Sequence, residues 1–352
     1  MYAYVGSRTT RERHARGEGI SVYRVNPPDG ALERVQVLGD LVNPSYLALS
    51  RDGQRLYCVH GDGTEASSFE VDGTTGLIRP LNCQSTEGRN PVHLALAADG
   101  RHLVVTNHLG SSLVVLPIAD DGSLQPVSQI VSISGPVGPH RVEQQQAKPH
   151  FNPFDASGRW IVVPDKGLDR VFSYRFEGGS LVPAVEPFVQ AREGSGPRSA
   201  VFHPSMALAY VVNELDSTLT TYAFDASIGS LRPLHLIPTL PPTYTGNSRA
   251  AGIAIDVSGQ TLYISNRGHD SVAVFRLDAV NGWPTFVDAV PTIGRTPRFF
   301  TLSPCGQHLY ALNEDSDSIV VFDVGADATL SRPRTVADCG SPVCMVFSPS
   351  EN

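Results

Sequence analysis

The sequence lacks the features that mark membrane-spanning, secreted and nucleic-acid-binding proteins. No stretch approaches about 18 consecutive apolar residues, so no spanning helix is predicted. Lysine is scarce, no run of Lys and Arg occurs and the net charge is −8, so the basic patch that nucleic acid or an anionic membrane requires is missing. The first residues show no basic region leading into an apolar run, which predicts no signal peptide.

Cysteine is also sparse. The five cysteines are odd in number and scattered, and no CxxC pair occurs: Cys58, Cys83, Cys305, Cys339 and Cys344. This pattern predicts reduced, partly buried thiols in a cytoplasmic protein rather than a disulfide framework.

Local catalytic signatures are absent. There is no GxSxG, no HExxH, no P-loop and no GxGxxG ahead of a helix, and no tight His/Asp/Glu spacing. No cofactor and no metal are therefore predicted, although loops from distant parts of the chain could still assemble a metal site. The WD and kelch signatures of many scaffold propellers are missing too.

A repeat is present instead. Its members begin at Asn43, Asn90, Lys148, Gly196, Ser248 and Thr296. Each is a short apolar run, a turn that usually contains Gly, a second strand ending in a polar residue, a third strand and a fourth. The second strands recur every 47 to 58 residues. Four antiparallel strands at such a period, with 32 Gly and 27 Pro in 352 residues, predict an all-β propeller.

The two ends of the chain supply one further unit. The segment after Ser341 contains a first strand and a turn, and the strands near Tyr2, Ile20 and Leu32 supply the other three. Pairing Tyr2–Val5 with Val343–Phe347 would remove two free sheet edges. The sequence therefore predicts a single domain over residues 1–352, a seven-bladed β-propeller closed by its N- and C-terminal strands.

Strand polarity predicts where chemistry collects. Starts of first strands and loops between second and third strands share one face of a propeller, and polar residues gather at both places. The densest set is His150, Arg198, Glu214, Arg267 and His269. Arginines bind carboxylate or phosphate, and a carboxylate with a histidine can move protons. Substrate-binding candidates are His269, Arg298, Asn266, Asn213 and His108. Asparagines that follow strands commonly cap turns, and Glu214 with Arg267 could be a structural ion pair.

Four segments carry a family resemblance. They begin at Val163 (VPDKGLDRVFSY), Gly196 (GPRSAVFHP), Tyr210 (YVVNELDSTL) and Ile264 (ISNRGHDSVAVF). They resemble the seven-bladed propeller lactonases, which include 6-phosphogluconolactonases and carboxy-cis,cis-muconate cyclase. The resemblance implies an active site of His150, Arg198, Glu214 and Arg267. The chain differs at Asn152, where the family usually has histidine, and between Gly6 and Thr10, which read Gly-Ser-Arg-Thr-Thr.

These observations give one leading hypothesis and two alternatives. The leading one is a carboxylic-ester hydrolase that opens a small anionic sugar lactone, such as 6-phosphogluconolactone, in carbohydrate metabolism. Glu214 would activate water, Arg198 and Arg267 would hold the anion and the oxyanion, and His150 would protonate the alkoxide or serve as the base itself. The alternatives are a cycloisomerase that forms a lactone from a muconate-type dicarboxylate, and a non-catalytic ligand- or protein-binding propeller. The oligomeric state is left open.

Overall fold

Short β-strands make up most of the chain. The computed structural model describes residues 1–325, 327 and 329–349. Its strands form seven antiparallel sheets, the blades of a propeller, which confirms the predicted fold. Within the described ranges the helical segments are two 3₁₀ turns, Arg11–Arg13 and Glu314–Ser316, and no helix there is long and apolar enough to cross a membrane.

The strands follow one another in chain order, and in five of the blades the innermost strand comes first. The chain begins with β1 (Tyr2–Ser7), β2 (Ile20–Val25) and β3 (Leu32–Leu38). Blade 1 is β4 (Pro44–Leu49), β5 (Arg55–His60), β6 (Glu65–Val71) and β7 (Ile78–Ser85). Blade 2 is β8 (Pro91–Leu96), β9 (His102–Asn107), β10 (Ser112–Pro117) and β11 (Gln129–Ser132). Blade 3 is β12 (Trp160–Asp165), β13 (Arg170–Glu177) and β14 (Ser180–Gln190).

The remaining blades repeat the pattern. Blade 4 is β15 (Pro197–Phe202), β16 (Leu208–Asn213), β17 (Thr218–Asp225) and β18 (Ser230–Pro238). Blade 5 is β19 (Arg249–Ile255), β20 (Thr261–Arg267), β21 (Ser271–Leu277) and β22 (Pro284–Pro291). Blade 6 is β23 (Pro297–Leu302), β24 (His308–Asn313), β25 (Ser318–Val324) and β26 (Leu330–Asp338). The last strand is β27 (Pro342–Phe347).

Blade 7 joins the two ends of the chain, as predicted. Its strand order is β27-β1-β2-β3. Tyr4 lies opposite Val346 and Val5 lies opposite Met345 in an antiparallel register. The ring therefore closes through backbone hydrogen bonds between chain ends.

Blade 3 departs from the predicted four strands. Its inner segment is tied to the blade by two isolated bridges, Pro149–Asp165 and Phe154–Ile161. Prolines cannot donate to a strand ladder, and this segment contains both Pro149 and Pro153. The Asn152 side chain ties the segment to blade 2 instead, with Nδ2 donating to the Val104 carbonyl at 3.1 Å.

Apolar side chains pack between neighbouring blades. Among the described residues seven core clusters occur, one at each blade–blade interface. Tyrosines on three second strands also donate to glycine carbonyls of the next blade: Tyr57 to Gly122, Tyr210 to Gly282 and Tyr310 to Gly30. These tyrosines of the second strands thus hold adjacent blades together.

A β-bulge near the start of the inner strands directs one side chain into the central channel. The register skips one residue directly after Pro44, Pro91, Pro197, Pro297 and Pro342. His150 holds the same position after Pro149. A bulged residue is unpaired and re-aims its side chain. We call these six the bulge residues, and all of them line one cavity: Ser45, Val92, His150, Arg198, Arg298 and Val343.

Candidate active site

The cavity lies in the central channel and measures about 170 Å³. Besides the bulge residues it is lined by Arg8 and by aromatic rings of three blades: Tyr46, Phe151, Phe299 and Phe300. Three guanidinium groups therefore face a space with largely apolar walls. Such a space suits a small ligand that has negative charge and a compact carbon skeleton.

Glu214 is the centre of an ion-pair cluster beside this cavity. It follows β16, and its side chain is 5% exposed. Oε2 lies 3.0 Å from Nε of Arg198 and 3.2 Å from Nη2 of Arg267. Oε1 lies 3.2 Å from Nζ of Lys166 and 3.6 Å from Nη1 of Arg249. Both carboxylate oxygens are therefore occupied by cations from blades 3, 4 and 5.

A second carboxylate completes the cluster. Glu143, in the long loop of residues 133–148, lies 3.0 Å from Nζ of Lys166 and 2.6 Å from Nη1 of Arg249. Two carboxylates thus face four cations. Burial lowers the pKa of Arg198, and the neighbouring Arg267 contributes to the same effect. With two carboxylates in contact with four cations, the cluster is short of anionic charge. A bound anion would supply it.

Arg198 connects this cluster to the cavity. Its Nη1 donates to the Ala251 carbonyl at 2.6 Å and to Oγ of Ser199 at 3.1 Å. The Nε–H is not directed at Glu214 despite the 3.0 Å separation, so that contact is ionic. The guanidinium is fixed by blades 4 and 5 and lines the cavity as a bulge residue.

Glu214 remains ionised. Burial would raise the pKa of its carboxyl group, but Arg267, Lys166 and Arg198 outweigh burial and hold the pKa well below 4.5. An ionised carboxylate held by four cations is a weak base. The structure thus gives Glu214 an environment that favours positioning the arginines over accepting a proton.

His150 has the opposite environment. It is buried, and within the described residues its Nδ1 has no hydrogen-bond partner. Burial lowers its pKa well below 6.5, and Arg198 and His108 lower it further, so the ring is neutral at neutral pH. His150 lines the cavity, and a neutral imidazole can accept a proton.

His108 supports His150 from blade 2. The two rings meet edge to face with centroids 5.1 Å apart, and Nδ1 of His108 donates to the Pro149 carbonyl at 3.0 Å. Burial lowers the pKa of His108 to about 3. His108 therefore lies behind His150 as a neutral neighbour, and it is not among the residues that line the cavity.

The structure brings together most of the candidates. Glu214, Arg198 and Arg267 are in direct contact, and His150 and Arg298 line the cavity that Arg198 reaches. Three substrate-binding candidates are engaged elsewhere. The Asn213 amide donates to Thr218 and Thr220, the Asn266 amide bonds Thr239, and Nδ1 of His269 is 2.7 Å from the hydroxyl of Ser271.

Sequence reasoning missed three residues of the site. Ser45 gives no chemical signal until its bulge position is known. Glu143 lies in a loop with no counterpart in the other repeats, and Arg8 lies just beyond β1. The Gly-Ser-Arg segment that departs from the family pattern was the one available signal for Arg8.

In residues 1–325, 327 and 329–349, no group of three or more His, Cys, Asp or Glu side chains is placed to hold one ion. The five cysteines are free thiols, and Cys58, Cys339 and Cys344 are buried.

Comparison with known proteins matches the chain to one family of β-propellers over nearly its whole length. The sequence matches the family described as "Lactonase, 7-bladed beta-propeller" over residues 2–347. A Bacillus subtilis protein named 6-phosphogluconolactonase is 30% identical over 355 residues, covering 99% of this chain and 99% of its own. A Formosa agariphila protein of the same name is 29% identical, covering 98% of this chain and 99% of its own.

Solved structures agree with the sequence comparison. The Pseudomonas aeruginosa periplasmic gluconolactonase PpgL superposes with a TM-score of 0.90 at 29% identity, and the match covers 99% of each chain. These similarities include both strands that close the ring, β1 and β27.

Proposed function

Because this chain belongs to the seven-bladed β-propeller lactonase family, we propose that it hydrolyses a small anionic sugar lactone, with 6-phosphogluconolactone as the simplest substrate. The observation that supports this most directly is the juxtaposition in one cavity of a neutral His150, whose Nδ1 has no hydrogen-bond partner among the described residues, and a fixed Arg198. Ester hydrolysis needs those two elements, a base for water and a cation for the oxyanion.

The reaction follows from these two groups. Water attacks the lactone carbonyl as His150 takes one of its protons, and the new C–O bond places negative charge on the carbonyl oxygen. Arg198 stabilises that oxyanion. The ring C–O bond then breaks, and the leaving alkoxide receives the proton from the His150 imidazolium. The product is an open-chain hydroxy acid, and His150 is neutral again.

Glu214 acts on this chemistry through the arginines. It is in contact with Arg198 and Arg267 and is not among the residues that line the cavity. We assign it a positioning role. Substrate charge also helps the base, because an anion near Arg198 offsets the repulsion that lowers the pKa of His150.

A lactone panel tests the proposal. Phosphorylated and non-phosphorylated sugar lactones are supplied side by side, and ring opening is followed by proton release. The same enzyme is offered muconate-type dicarboxylates, with lactone formation followed by ultraviolet absorbance. We expect the protein to hydrolyse an anionic sugar lactone. The His150→Asn variant should lose this activity. The control variant His102→Asn, which replaces a side chain hydrogen-bonded to Asp99 at an Asp-Gly turn, should keep it. Lactone formation alone would favour the cycloisomerase, and no turnover of any compound would favour a binding propeller.

We also propose a reducing compartment such as the cytoplasm. Five free thiols support it, since oxidising compartments convert many thiols to disulfides. Thiol titration of protein isolated without reductant should find five reactive groups after unfolding.

A further inference from the structure

The cavity has a second polar side, separate from His150 and Arg198. Inner strands meet in ring order, so blades 6, 7 and 1 are neighbours, as are blades 3 and 4. His150 and Arg198 come from blades 3 and 4, whereas Arg298, Arg8 and Ser45 come from blades 6, 7 and 1. Val92 of blade 2 and Gly252 of blade 5 lie between the two groups. The ligand space is therefore polar on two sides.

This second side carries donors that nothing in the described chain uses. Nε of Arg8 and Oγ of Ser45 are both buried and, as far as the structure describes, without a hydrogen-bond partner. The Arg8 side chain is 3% exposed. Both groups lie against Gly61, where a Cβ atom would come within 2.2 Å of Nη1 of Arg8 and 2.6 Å of Oγ of Ser45. The two donors are thus adjacent, and burying them unpaired has a cost that a ligand acceptor would remove.

Residues outside the cavity lining fix the position of Arg8. Its backbone N–H donates to the Ser341 carbonyl at 3.0 Å, and Nη1 lies 3.3 Å from Oδ2 of Asp62. Asp62 also pairs with Arg13. The next residue, Thr9, donates its N–H to Oδ1 of Asn43 at 2.8 Å. These contacts fix the guanidinium of Arg8, which lines the cavity, and leave its buried Nε without a hydrogen-bond partner among the described residues.

The charges around this side favour an anion. Arg298 lies 3.9 Å from its carboxylate partner, Glu314, which is a loose pair. Asp62 is shared between Arg8 and Arg13. Burial and, next, the neighbouring Arg298 lower the pKa of Arg8 to about 10, so Arg8 is still charged at neutral pH and is repelled by the Arg298 guanidinium. An anionic group between them would relieve that repulsion.

We propose that Arg8, Ser45 and Arg298 bind a second, terminal anionic group of the ligand, a phosphoryl or carboxylate group, while His150 and Arg198 engage the lactone carbonyl. This inference rests on the proposed function and narrows it. The substrate class is a lactone whose anion lies at the end of the molecule away from the carbonyl. The residues of this second side determine specificity and take no part in bond breaking.

The kinetic test compares three lactones of the same ring size, one phosphorylated, one carboxylated and one uncharged. Arg8→Met is compared with Arg13→Met, which loses the same charge next to Asp62 but lies outside the cavity lining. In Arg8→Met we expect the ratio of kcat/KM for the anionic over the uncharged lactone to fall about 10- to 100-fold, the scale of one charged hydrogen bond. If the ratio falls for the phosphorylated lactone, the subsite binds a phosphoryl group, and if it falls for the carboxylated lactone, the subsite binds a carboxylate. An unchanged ratio for both overturns the proposal.

A binding measurement separates this inference from the proposed function. Inorganic phosphate is titrated into wild type, Arg8→Met and Ser45→Ala by calorimetry. We expect about tenfold or greater weakening in Arg8→Met and a smaller weakening in Ser45→Ala. Equal affinity in all three proteins overturns the subsite. If no lactone is hydrolysed, the proposed function fails while this titration still decides the subsite. Should Arg8→Met not fold by circular dichroism, Ser45→Ala and Arg8→Lys decide it in the same titration.

Discussion

Glu214 and His150 are both buried ionisable groups beside one cavity, yet their surroundings are opposite. Four cations contact the two oxygens of Glu214, whereas Nδ1 of His150 has no partner in the part of the chain that the structure describes. Burial favours the neutral form of each. For Glu214 the cations reverse that effect, and for His150 the neighbouring Arg198 adds to it. Glu214, which is paired with cations, therefore has a structural role, whereas His150, which has no such partner, remains available to a ligand.

Replacing His150 by Asn should give the largest effect on turnover. The variant keeps a polar side chain and removes the base, so kcat should fall about 10²- to 10⁴-fold. Thermal stability should hardly change, because Nδ1 of His150 makes no hydrogen bond to the residues that the structure describes. Steady-state kinetics and a melting curve measure both. A wild-type kcat would remove His150 from proton transfer.

Replacing Glu214 by Gln should mainly affect stability. It leaves four buried or half-buried cations without their shared carboxylate, and breaking such a buried pair typically costs about 3–5 kcal/mol. The folded pKa of Glu214 is depressed, so its contribution is present above the unfolded pKa of about 4.3 and is lost as pH falls below it. Urea unfolding at pH 7 and pH 3.5 should show the difference shrinking at the lower pH.

The control for Glu214 is Glu177→Gln, an exposed carboxylate paired with Arg175. It should change stability by less than about 1 kcal/mol. If Glu214→Gln instead folds as stably as wild type but loses turnover to the extent that His150→Asn does, Glu214 is a proton-transfer group and the contrast between the two residues is wrong.

The pH profile should place the base below the usual histidine range. Protonation removes the base, and burial together with Arg198 and His108 holds the pKa of His150 well below 6.5. The kcat/KM of the free enzyme should therefore stay flat as pH falls from 7 to 6.5 and decline only at lower pH. An inflection at or above pH 6.5 would contradict the neutral, desolvated imidazole.

Replacing Arg267 by Lys should have a moderate effect. The charge remains, but the planar fork that reaches both Glu214 and the Ala250 carbonyl is lost. Arg267 does not line the cavity, so the effect would pass through Glu214 and Arg198. We expect the loss of this charge-assisted contact to weaken ligand binding by about 1.5–3 kcal/mol. Arg276→Lys, at an exposed strand position of the same blade, is the matched control. If KM does not change relative to that control, Arg267 is a structural residue.

Chelation should have the smallest effect. Activity is expected to survive dialysis against a strong chelator, because no metal-ligand spacing is readable in the sequence. The activity of dialysed and undialysed enzyme is compared on the same lactone. If dialysis removes the activity and one divalent ion restores it, a metal ion rather than His150 activates the water.

The fold was predictable because every blade repeats the same turn and strand pattern. Six copies define the strands, and the two partial copies at the ends predict the pairing of β1 with β27. The grouping of Arg198, Glu214 and Arg267 followed from strand polarity alone. Blade 3 could not be predicted in the same way, since the prolines that remove its inner ladder lie within an otherwise matching repeat.

Side-chain register was harder to predict than strand order. Arg249 lies near the start of its repeat, as Arg198 does, but Ala250 is the residue opposite Asn266, as Pro197 is opposite Asn213. Arg249 consequently lies two positions before the one that corresponds to Arg198, and its side chain is 37% exposed. Loop residues gave even less information, because Glu143 and Arg8 have no counterparts in the other repeats with which they could be aligned.

The bulge residues have a consequence for how such a protein can change. Five of them lie where the strand pairing skips one residue, and the sixth, His150, lies in a segment tied to its blade by isolated bridges. Their side chains can therefore be exchanged while the strand pairing around them stays intact. Positions that determine ligand chemistry are thereby separated from positions that determine folding. An evolving or engineered propeller can test new substrates by single-codon changes around one ring, and a library randomised at these six positions would explore ligand preference on an unchanged scaffold.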